Sequence, residues 1–412
     1  MADVTADVPP TPGEHIALFA PVLNDSGVAK VMTTLADAFA ARGYRVDLVV
    51  GRIENNGTHR LLGGANMVQV AQSSLARGWF DAARADPGGI GTLIHAVVRS
   101  GKPGSRLRYL PGLITYLQTV RPTVVVSAGT VANLMALWAR GLAGVSTWVV
   151  ACEHNNLSGK VRGGRVRGTG RLRVVARLVG RVYDRADSIV AVSDGVADDL
   201  AVVAGLSRER IATIPNPVVT PDLLASARAP LEHPWFAPGE PPVLLGVGRL
   251  VPAKDFATLL KAFAQVRAAR GARLLILGEG AERAALEALA DELGIGTDVA
   301  FPGYVANPYA YMSRAAAFVL SSRWEGLVSV LIEAMACGCP VVSTDCPSGP
   351  FEILNGGALG PLVPVGDHAA LGVAICATLD GPSDPSRLRA RARAFSLETS
   401  AVRYLEEING AR

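Results

Sequence analysis

The sequence is poor in cysteine and in aromatic residues. Five of its 412 residues are cysteine, and Phe, Trp and Tyr together make up 6%. An odd number of cysteines without a repeating spacing argues against a disulfide framework. The C-x-C formed by Cys337 and Cys339 is neither a zinc nor a thioredoxin spacing. We therefore expect reduced thiols and a cytoplasmic protein.

Long apolar runs and targeting signals are also missing. No run of about 18 apolar residues lacks a charge or a helix breaker, which argues against a transmembrane span. The first residues, MADVTADVPPTPGEH, are acidic and contain proline, unlike a secretory signal. No D-x-D motif occurs, and the six histidines are scattered. We therefore expect no divalent metal and no other cofactor.

The sequence does contain a repeated alternation of short apolar strands and amphipathic helices. Strands such as HIALFAPVL, TVVVSA and SIVAVS precede the Pro-rich stretch TPDLLASARAPLEHPWFAPGEPP, and PVLLGVGRL, RLLILGEG and AAFVLSS follow it. This alternation predicts parallel sheets covered by helices on both faces, and the Pro-rich stretch predicts a linker. Because the chain is long enough for two cores, we expect an α/β protein with two doubly wound, Rossmann-like domains.

The predicted boundaries follow from these patterns. The first domain covers residues 1–220, of which 1–13 are expected to be disordered, and the second covers 221–394. Residues 395–412 form a last helix that can pack back onto the first domain. Ligands of such folds bind at the carboxyl ends of the strands.

The segment GVGRLVPAKDF places two cations just after a predicted strand. Arg249 offers a planar fork of donors, and Lys254 offers a mobile point charge. Together they suit a diphosphate, whose charge is spread over several oxygens. A solvated loop with two ordinary basic residues is the alternative.

The segment RWEGLVSVLIEAMACG places two carboxylates around a predicted helix start. The backbone N–H groups of Leu327, Val328 and Ser329 would point outward there and form an anion site. Glu325 precedes this start, and Glu333 lies about two turns into the helix. A carboxylate is repelled by phosphate but accepts hydrogen bonds from hydroxyls. Ribose, diphosphate and hexose would satisfy both kinds of group; a capping Glu and a surface Glu are the alternative.

These residues, in the spacing E-x7-E followed by EAMACGCPVV, resemble the retaining GT4-type (group 1) glycosyltransferases of the GT-B fold. The resemblance covers nearly the whole chain through DSGVAK, AVSDGV, IPNPV and GEGAERAAL. The stretches STDCPSGPFEIL and GPLVPVGD are similar to the subgroup that extends bacterial surface polysaccharides and lipid-linked oligosaccharides. The resemblance implies two domains facing a central cleft, with the acceptor on the first and the donor on the second.

The resemblance also implies roles for single residues. Arg249 and Lys254 would neutralise the donor diphosphate, Glu333 would hold the ribose hydroxyls, and Glu325 would hold hydroxyls of the transferred sugar. His154, which follows a strand in ACEHNN, would lie near the donor sugar and position the transition state; a satisfied loop histidine is the alternative. Val328 and Ser329 replace the Gly or Pro-Asn of many relatives. Further donor contacts are expected from Gly27, Gly278, Gly280, Tyr304, Val305 and the amides of Leu327, Val328 and Ser329.

The implied reaction is retaining transfer of a hexose or N-acetylhexosamine from a nucleotide diphosphate sugar, with a UDP-sugar favoured. The acceptor would be a glycan, lipid-linked, in the synthesis of cell-surface polysaccharide or glycoconjugate. Three alternatives stay open: a GDP-mannose-dependent mannosyltransferase, a GT-B sugar-nucleotide epimerase, and a non-catalytic subunit that binds nucleotide sugars.

Basic residues cluster in the arginine segment, Lys160–Arg185, where Asp184 is the sole acid. Valines and leucines interleave with the arginines, a pattern that can bind an anionic membrane surface. A solvated helix with a mobile loop is the alternative. Because aromatic residues do not interleave, nucleic acid is not an expected partner. The protein would then be peripheral at the cytoplasmic face of the inner membrane.

Overall fold

The computed structural model describes residues 14–24, 27–54, 61, 63–89, 103–158 and 169–410. Its contacts divide the chain into two compact units. The first contains the residues up to Pro217 together with the C-terminal segment from Leu397, and the second is Val218–Ser396. The C-terminal helix is therefore part of the first unit.

The first unit contains a seven-stranded sheet in the order β3-β2-β1-β4-β5-β6-β7, and all neighbouring pairs are parallel. In the β1–β2 pair, for example, Ile16 lies opposite Val46. The strand order reverses between β1 and β4, which is where ligands bind in doubly wound sheets. The strands are His15–Leu23 (β1), Arg45–Ile53 (β2), Asn66–Gln69 (β3), Val124–Ala128 (β4), Trp148–Glu153 (β5), Ser188–Ala191 (β6) and Ile211–Thr213 (β7).

Helices connect these strands, and the central strands are buried on both faces, as expected for a parallel sheet. The helices of this part of the chain are Gly27–Ala41 (α1), Leu75–Ala85 (α2), Leu110–Val120 (α3), Thr130–Ala143 (α4), Thr169–Tyr183 (α5) and Asp194–Ala204 (α6).

The second unit contains a six-stranded parallel sheet in the order β10-β9-β8-β11-β12-β13. Here the order reverses between β8 and β11. The two predicted Rossmann-like sheets are thus confirmed. The strands are Val243–Val247 (β8), Arg273–Leu277 (β9), Val299–Gly303 (β10), Ala317–Leu320 (β11), Val341–Thr344 (β12) and Leu362–Val363 (β13).

Each face of the second sheet carries its own apolar cluster. Leu245 and Phe318 belong to one cluster, and Leu244 and Val319 to the other, because successive strand residues point to opposite faces. The helices of this unit are Pro221–Ser226 (α7), Phe256–Ala269 (α8), Arg283–Glu292 (α9), Tyr309–Met312 (α10), Ser329–Cys337 (α11), Pro350–Ile353 (α12), His368–Asp380 (α13) and Pro385–Ala392 (α14). The last helix of the chain, Leu397–Gly410 (α15), belongs to the first unit.

The C-terminal helix α15 completes the core of the first unit. Tyr404 and Leu405 are buried in the same cluster as Leu35 and Phe39 of α1. Tyr404 also donates a hydrogen bond from its hydroxyl to the Cys152 thiol at 3.6 Å. The C-terminal segment from Leu397 is therefore an integral part of the first unit.

The Pro-rich stretch is more ordered than a linker. Thr220 caps α7 by accepting a hydrogen bond from the Leu223 amide at 3.2 Å, and Pro221 occupies the first turn, where its missing N–H has no cost. Ser313 donates to the carbonyl of Ala227 at 2.8 Å. The stretch therefore folds onto the second unit, and its prediction as an irregular linker was wrong.

No helix in the described part of the chain combines the length and the apolar character that crossing a membrane requires.

Candidate functional site

The predicted donor residues of the second unit follow four neighbouring strands at one edge of the sheet. Arg249 and Lys254 follow β8, Gly278 and Gly280 follow β9, Tyr304 and Val305 follow β10, and Glu325 follows β11. The structure thus brings Lys254 and Glu325 to the two strands between which the sheet order reverses. This is the position at which doubly wound sheets bind their ligands.

The two predicted cations differ in their surroundings. Arg249 is exposed, and within the described residues its guanidinium makes no ion pair. Lys254 is instead largely covered, and its Nζ donates to Oε1 of Glu325 at 2.5 Å. Arg249 is therefore the more available charge for an incoming anion, and Lys254 is already engaged.

Glu325 is held by two donors. Besides the ammonium of Lys254, the hydroxyl of Ser322 donates to the same oxygen, Oε1, at 2.7 Å. The side chains of Lys254 and Glu325 are 18% and 15% exposed, so this ion pair is weakly screened by solvent. Both donors meet Oε1, and this geometry leaves Oε2 as the oxygen better placed to accept from another hydroxyl. No pattern in the sequence had indicated Ser322.

The helix after Glu325 begins later than predicted. It starts at Ser329 rather than Leu327, and Val328 takes the cap position with φ −82° and ψ 81°. Val328 is buried, 1% exposed, because its side chain packs in the core and against the backbone of Gly349. Burial of the Val328 side chain in the core therefore accounts for its non-helical backbone.

The amides at this helix start do not form the predicted set of three outward donors. The Ser329 amide donates to the carbonyl of Leu327 at 3.0 Å in a tight turn. Within the described chain, the amides of Leu327 and Val328 have no acceptor. The prediction for the Ser329 amide is therefore corrected, and two of the three amides stay as candidates for an anion.

Glu333 lies on α11 and is half-buried. The hydroxyl of Tyr309, in the short helix α10, contacts its Oε1 at 3.4 Å, a long hydrogen bond. Glu333 also contributes to the environment of Cys337, whose pKa is raised to about 12, chiefly by burial. No pattern in the sequence had indicated Tyr309.

Gly278 and Gly280 are needed for packing inside the protein. A Cβ on Gly278 would lie 2.0 Å from the carbonyl oxygen of Gly248, and one on Gly280 would lie 2.2 Å from that of Leu250. Gly278 also has φ +135°, which L side chains rarely adopt. These glycines therefore let the loop after β9 pack against the loop that carries Arg249.

Tyr304 and Val305, expected near the base, behave differently. Tyr304 is 80% exposed, whereas Val305 packs against the apolar cluster of the second unit. Tyr304 is thus the freer of the two to stack on a ligand.

Two predicted residues lie in the first unit. Gly27 is the first residue of α1, and a Cβ there would meet no described atom within 4 Å. Internal packing therefore does not require this glycine. His154 follows β5 directly and is 5% exposed. Of the DSGVAK motif, Asp25 and Ser26 lie outside the described residues.

The arginine segment is only partly described, because 159–168 lie outside the described residues. Arg173 and Arg177 are exposed on α5. Arg181 pairs with the buried Asp86 at 2.7 Å, and Arg185 donates to the carbonyl of Ala85 at 3.2 Å. Part of the basic cluster therefore ties α5 to the end of α2.

The cysteines carry no sign of reactivity. All five are free, and Cys152, Cys337, Cys339 and Cys346 are buried. Burial raises the pKa of Cys152 and Cys346 to about 12, so both thiols are protonated at neutral pH. In the described part of the chain, no three His, Cys, Asp or Glu side chains come together as a metal site would require.

Two doubly wound parallel-sheet units, the second with Lys254 and Glu325 at its strand-order reversal, are typical of α/β proteins that bind their ligands at the carboxyl ends of the strands. Comparison with known proteins narrows this class. The family described as "Glycosyl transferase 4-like domain" matches residues 26–217, and "Glycosyl transferases group 1" matches residues 230–395. The chain belongs to the group 1 glycosyltransferases.

Similar curated proteins carry related names. A Campylobacter jejuni protein named N-acetylgalactosamine-N,N'-diacetylbacillosaminyl-diphospho-undecaprenol 4-alpha-N-acetylgalactosaminyltransferase is 31% identical over 235 residues, which are 55% of this chain and 62% of that one. The lipopolysaccharide core biosynthesis glycosyltransferase LpsD of Rhizobium meliloti is 34% identical over 51% of this chain and 54% of its own length. The chain thus spans less than two thirds of these relatives.

Solved structures share the fold over almost the full length. The lipopolysaccharide outer core galactosyltransferase WaaB has a TM-score of 0.71 at 19% identity, over 97% of this chain and 100% of that one. HepE of Anabaena, solved in complex with UDP and glucose, has a TM-score of 0.71 at 18% identity, over 96% and 100%. These neighbours confirm the predicted GT-B fold.

Proposed function

We propose that the protein is a retaining glycosyltransferase that moves a hexose or N-acetylhexosamine from a UDP-sugar to a glycan acceptor. The acceptor is lipid-linked and belongs to cell-surface polysaccharide or glycoconjugate synthesis. The observation that carries this proposal is the Lys254–Glu325 contact at the β8–β11 reversal, with the exposed Arg249 beside it. The cations Lys254 and Arg249 suit a diphosphate, and the carboxylate of Glu325 suits sugar hydroxyls.

The reaction requires stabilisation of the negative charge that develops on the leaving group, the nucleotide diphosphate. The bond between the anomeric carbon and the diphosphate oxygen breaks, and its electron pair stays with the nucleotide. The oxygen of the acceptor hydroxyl bonds to the anomeric carbon on the same face, and the proton of that hydroxyl passes to the departing diphosphate. Arg249, Lys254 and the amides of Leu327 and Val328 would stabilise the charge that develops on the diphosphate. We propose that these groups take the place of a divalent metal, consistent with the missing D-x-D motif.

The comparisons support the substrate classes. HepE was solved with UDP, and the name of the Campylobacter relative contains a diphospho-undecaprenol acceptor. Tyr304 is exposed where a base could stack, and His154 remains the proposed positioning group for the donor sugar. Arg173 and Arg177 would hold the enzyme peripherally at an anionic cytoplasmic membrane surface, where lipid-linked acceptors lie.

The test is a transfer assay with UDP-sugars and GDP-mannose, with and without a lipid-linked glycan acceptor and with EDTA. We expect acceptor-dependent release of UDP that EDTA does not abolish. Glu333→Gln should raise the donor KM through the lost ribose contact, and Glu325→Gln should lower kcat more than it raises KM. Glu287→Gln, on the exposed face of α9, is the matched control that should change neither.

Other results would direct the assignment elsewhere. Turnover of GDP-mannose alone would make the protein a mannosyltransferase. Epimerised sugar nucleotide without acceptor would refute the transferase. Binding without any turnover would indicate a non-catalytic subunit, and wild-type kinetics in both Glu variants would refute the site.

A further inference from the structure

A second ion pair lies directly beside the Lys254–Glu325 contact. Asp255 is 4% exposed and precedes α8 in the left-handed region, with φ +47°, which few residues other than Gly, Asn and Asp adopt. Arg323 grips both of its oxygens, from Nε to Oδ2 at 2.8 Å and from Nη2 to Oδ1 at 3.2 Å. Thr258 donates to Oδ2 at 2.8 Å. The carboxylate is thus fully used by protein donors.

The pair joins the two loops that carry the proposed site. Asp255 follows Lys254 in the sequence, and Arg323 comes two residues before Glu325. Two further hydrogen bonds join the same loops. The Arg323 amide donates to the carbonyl of Ala253 at 2.8 Å, and the hydroxyl of Ser321 donates to the carbonyl of Lys254 at 2.8 Å.

We propose that Asp255 and Arg323 are positioning residues, which hold Lys254 and Glu325 at the separation and orientation that donor binding needs. This inference rests on the proposed function. A planar Arg–carboxylate pair fixes direction as well as distance, whereas a lysine on its flexible stem fixes neither. The backbone bonds set the spacing of the loops, and the pair prevents one loop from rotating against the other.

The charges around Arg323 agree with this role. Hydrogen bonding to Asp255 and the charge of that carboxylate raise the pKa of Arg323. The side chain of Arg323 is 53% exposed, and that of Asp255 is 3% exposed. The buried charge of Asp255 therefore depends on its partner for compensation more than the exposed charge of Arg323 does.

The experiment compares Arg323→Ala, Arg323→Lys and Asp255→Asn with the wild type, using donor kcat and KM together with Tm. A misplacement of about 1 Å can cost on the order of 100-fold in rate, so we expect kcat/KM to fall roughly 10- to 100-fold in Arg323→Ala. Arg323→Lys should recover part of the loss, since it keeps the charge but not the fork. The matched control is Arg267→Ala, which breaks an Arg–Asp pair at the other end of α8, with Asp298 at 2.8 Å.

A double variant separates positioning from simple stabilisation. If Arg323 acts through Glu325, the loss in Arg323→Ala/Glu325→Gln should be far less than the product of the two single losses. If the losses of the two single variants multiply in the double variant, the proposal is overturned. It is also overturned if Arg323→Ala and Asp255→Asn keep wild-type kinetics. If Arg323→Ala fails to fold, Arg323→Lys and its double variant with Glu325→Gln decide by the same criterion.

The same variants distinguish this inference from the proposed function. If Lys254→Ala and Glu325→Gln are themselves silent, the donor site is wrong. If those two impair transfer while Arg323→Ala and Asp255→Asn do not, only the positioning role is wrong.

Discussion

Substitution of Gly280 by alanine should displace the loop that carries Arg249. The added Cβ would lie 2.2 Å from the carbonyl oxygen of Leu250 and 2.6 Å from both its carbonyl carbon and its amide nitrogen. All three neighbours are backbone atoms, so no side chain can rotate out of the way. Because ordinary contacts begin near 3.4 Å, the loop must retreat by roughly 1 Å.

This retreat would strain the hydrogen bonds that join the two loops. The Leu250 amide donates to the carbonyl of Glu279 at 2.9 Å, and the Glu282 amide donates to the carbonyl of Leu250 at 3.1 Å. Overpacking of this kind costs about 1–3 kcal/mol. For a unit of this size, each kcal/mol lowers Tm by about 2–4 °C, so we expect a fall of about 2–12 °C.

The functional effect should exceed the effect on stability. Arg249 directly precedes the displaced Leu250, and a shift of about 1 Å at a binding group can cost on the order of 100-fold in rate. We therefore expect Gly280→Ala to weaken UDP binding in isothermal titration calorimetry and to lower donor kcat/KM at least 10-fold. The experiment is run well below the Tm of the variant.

Gly271→Ala is the control for this experiment. Its nearest non-neighbouring atom, in Pro241, would lie 4.0 Å from the new Cβ, so Tm and UDP affinity should stay unchanged. If Gly280→Ala also keeps the wild-type Tm and UDP affinity, the reasoning from loop packing is refuted. A variant with normal Tm but weakened UDP binding would instead favour the interpretation from the sequence, in which Gly280 lets the backbone approach the nucleoside.

Two further predictions concern the first unit. Burial lowers the pKa of His15, which lies 3.0 Å from Asp47, so the unfolded chain takes up the proton first as pH falls. Stability should therefore fall as pH drops below about 6.5, and His15→Gln should flatten this slope in urea unfolding at pH 7.5 and 5.5; an unchanged slope would contradict it. Arg173→Ala and Arg177→Ala should each weaken binding to anionic vesicles by about 1 kcal/mol without changing Tm, whereas Arg181→Ala should lower Tm because Asp86 is buried. Equal vesicle binding by all three variants and the wild type would refute the membrane role of α5.

The fold was predictable because its signals are local. Apolar runs of five to nine residues such as those of β1 and β8 are buried on both faces, and the helices between them force parallel pairing. The rule that ligands bind at the carboxyl ends of the strands predicted that Lys254 and Glu325 would lie at one edge of the sheet, but it did not predict their contact. They lie 71 positions apart, yet both follow strands that are neighbours in the sheet.

The parts that could not be predicted depend on packing between distant segments. The start of α11 moved from Leu327 to Ser329 because Val328 fills the core beside Gly349, which lies 21 positions later (349 − 328). The Asp255–Arg323 pair spans 68 positions, and an Asp after a Lys gives no local sign of its partner. Likewise, Gly278 and Gly280 belong to a motif that the sequence shows, but only the structure shows that they accommodate the backbone of Gly248 and Leu250.

The Lys254–Glu325 contact changes how these two roles should be understood. From the sequence, the lysine was assigned to the diphosphate and the glutamate to the sugar, as independent tasks. In the structure the two side chains meet at 2.5 Å, so each sets the position of the other before a donor arrives. A diphosphate that draws on Lys254 competes with the carboxylate of Glu325. Removal of that carboxylate therefore releases the cation for the diphosphate while it deprives the sugar of an acceptor. These opposed effects are the physical reason why Glu325→Gln should lower turnover more than donor affinity.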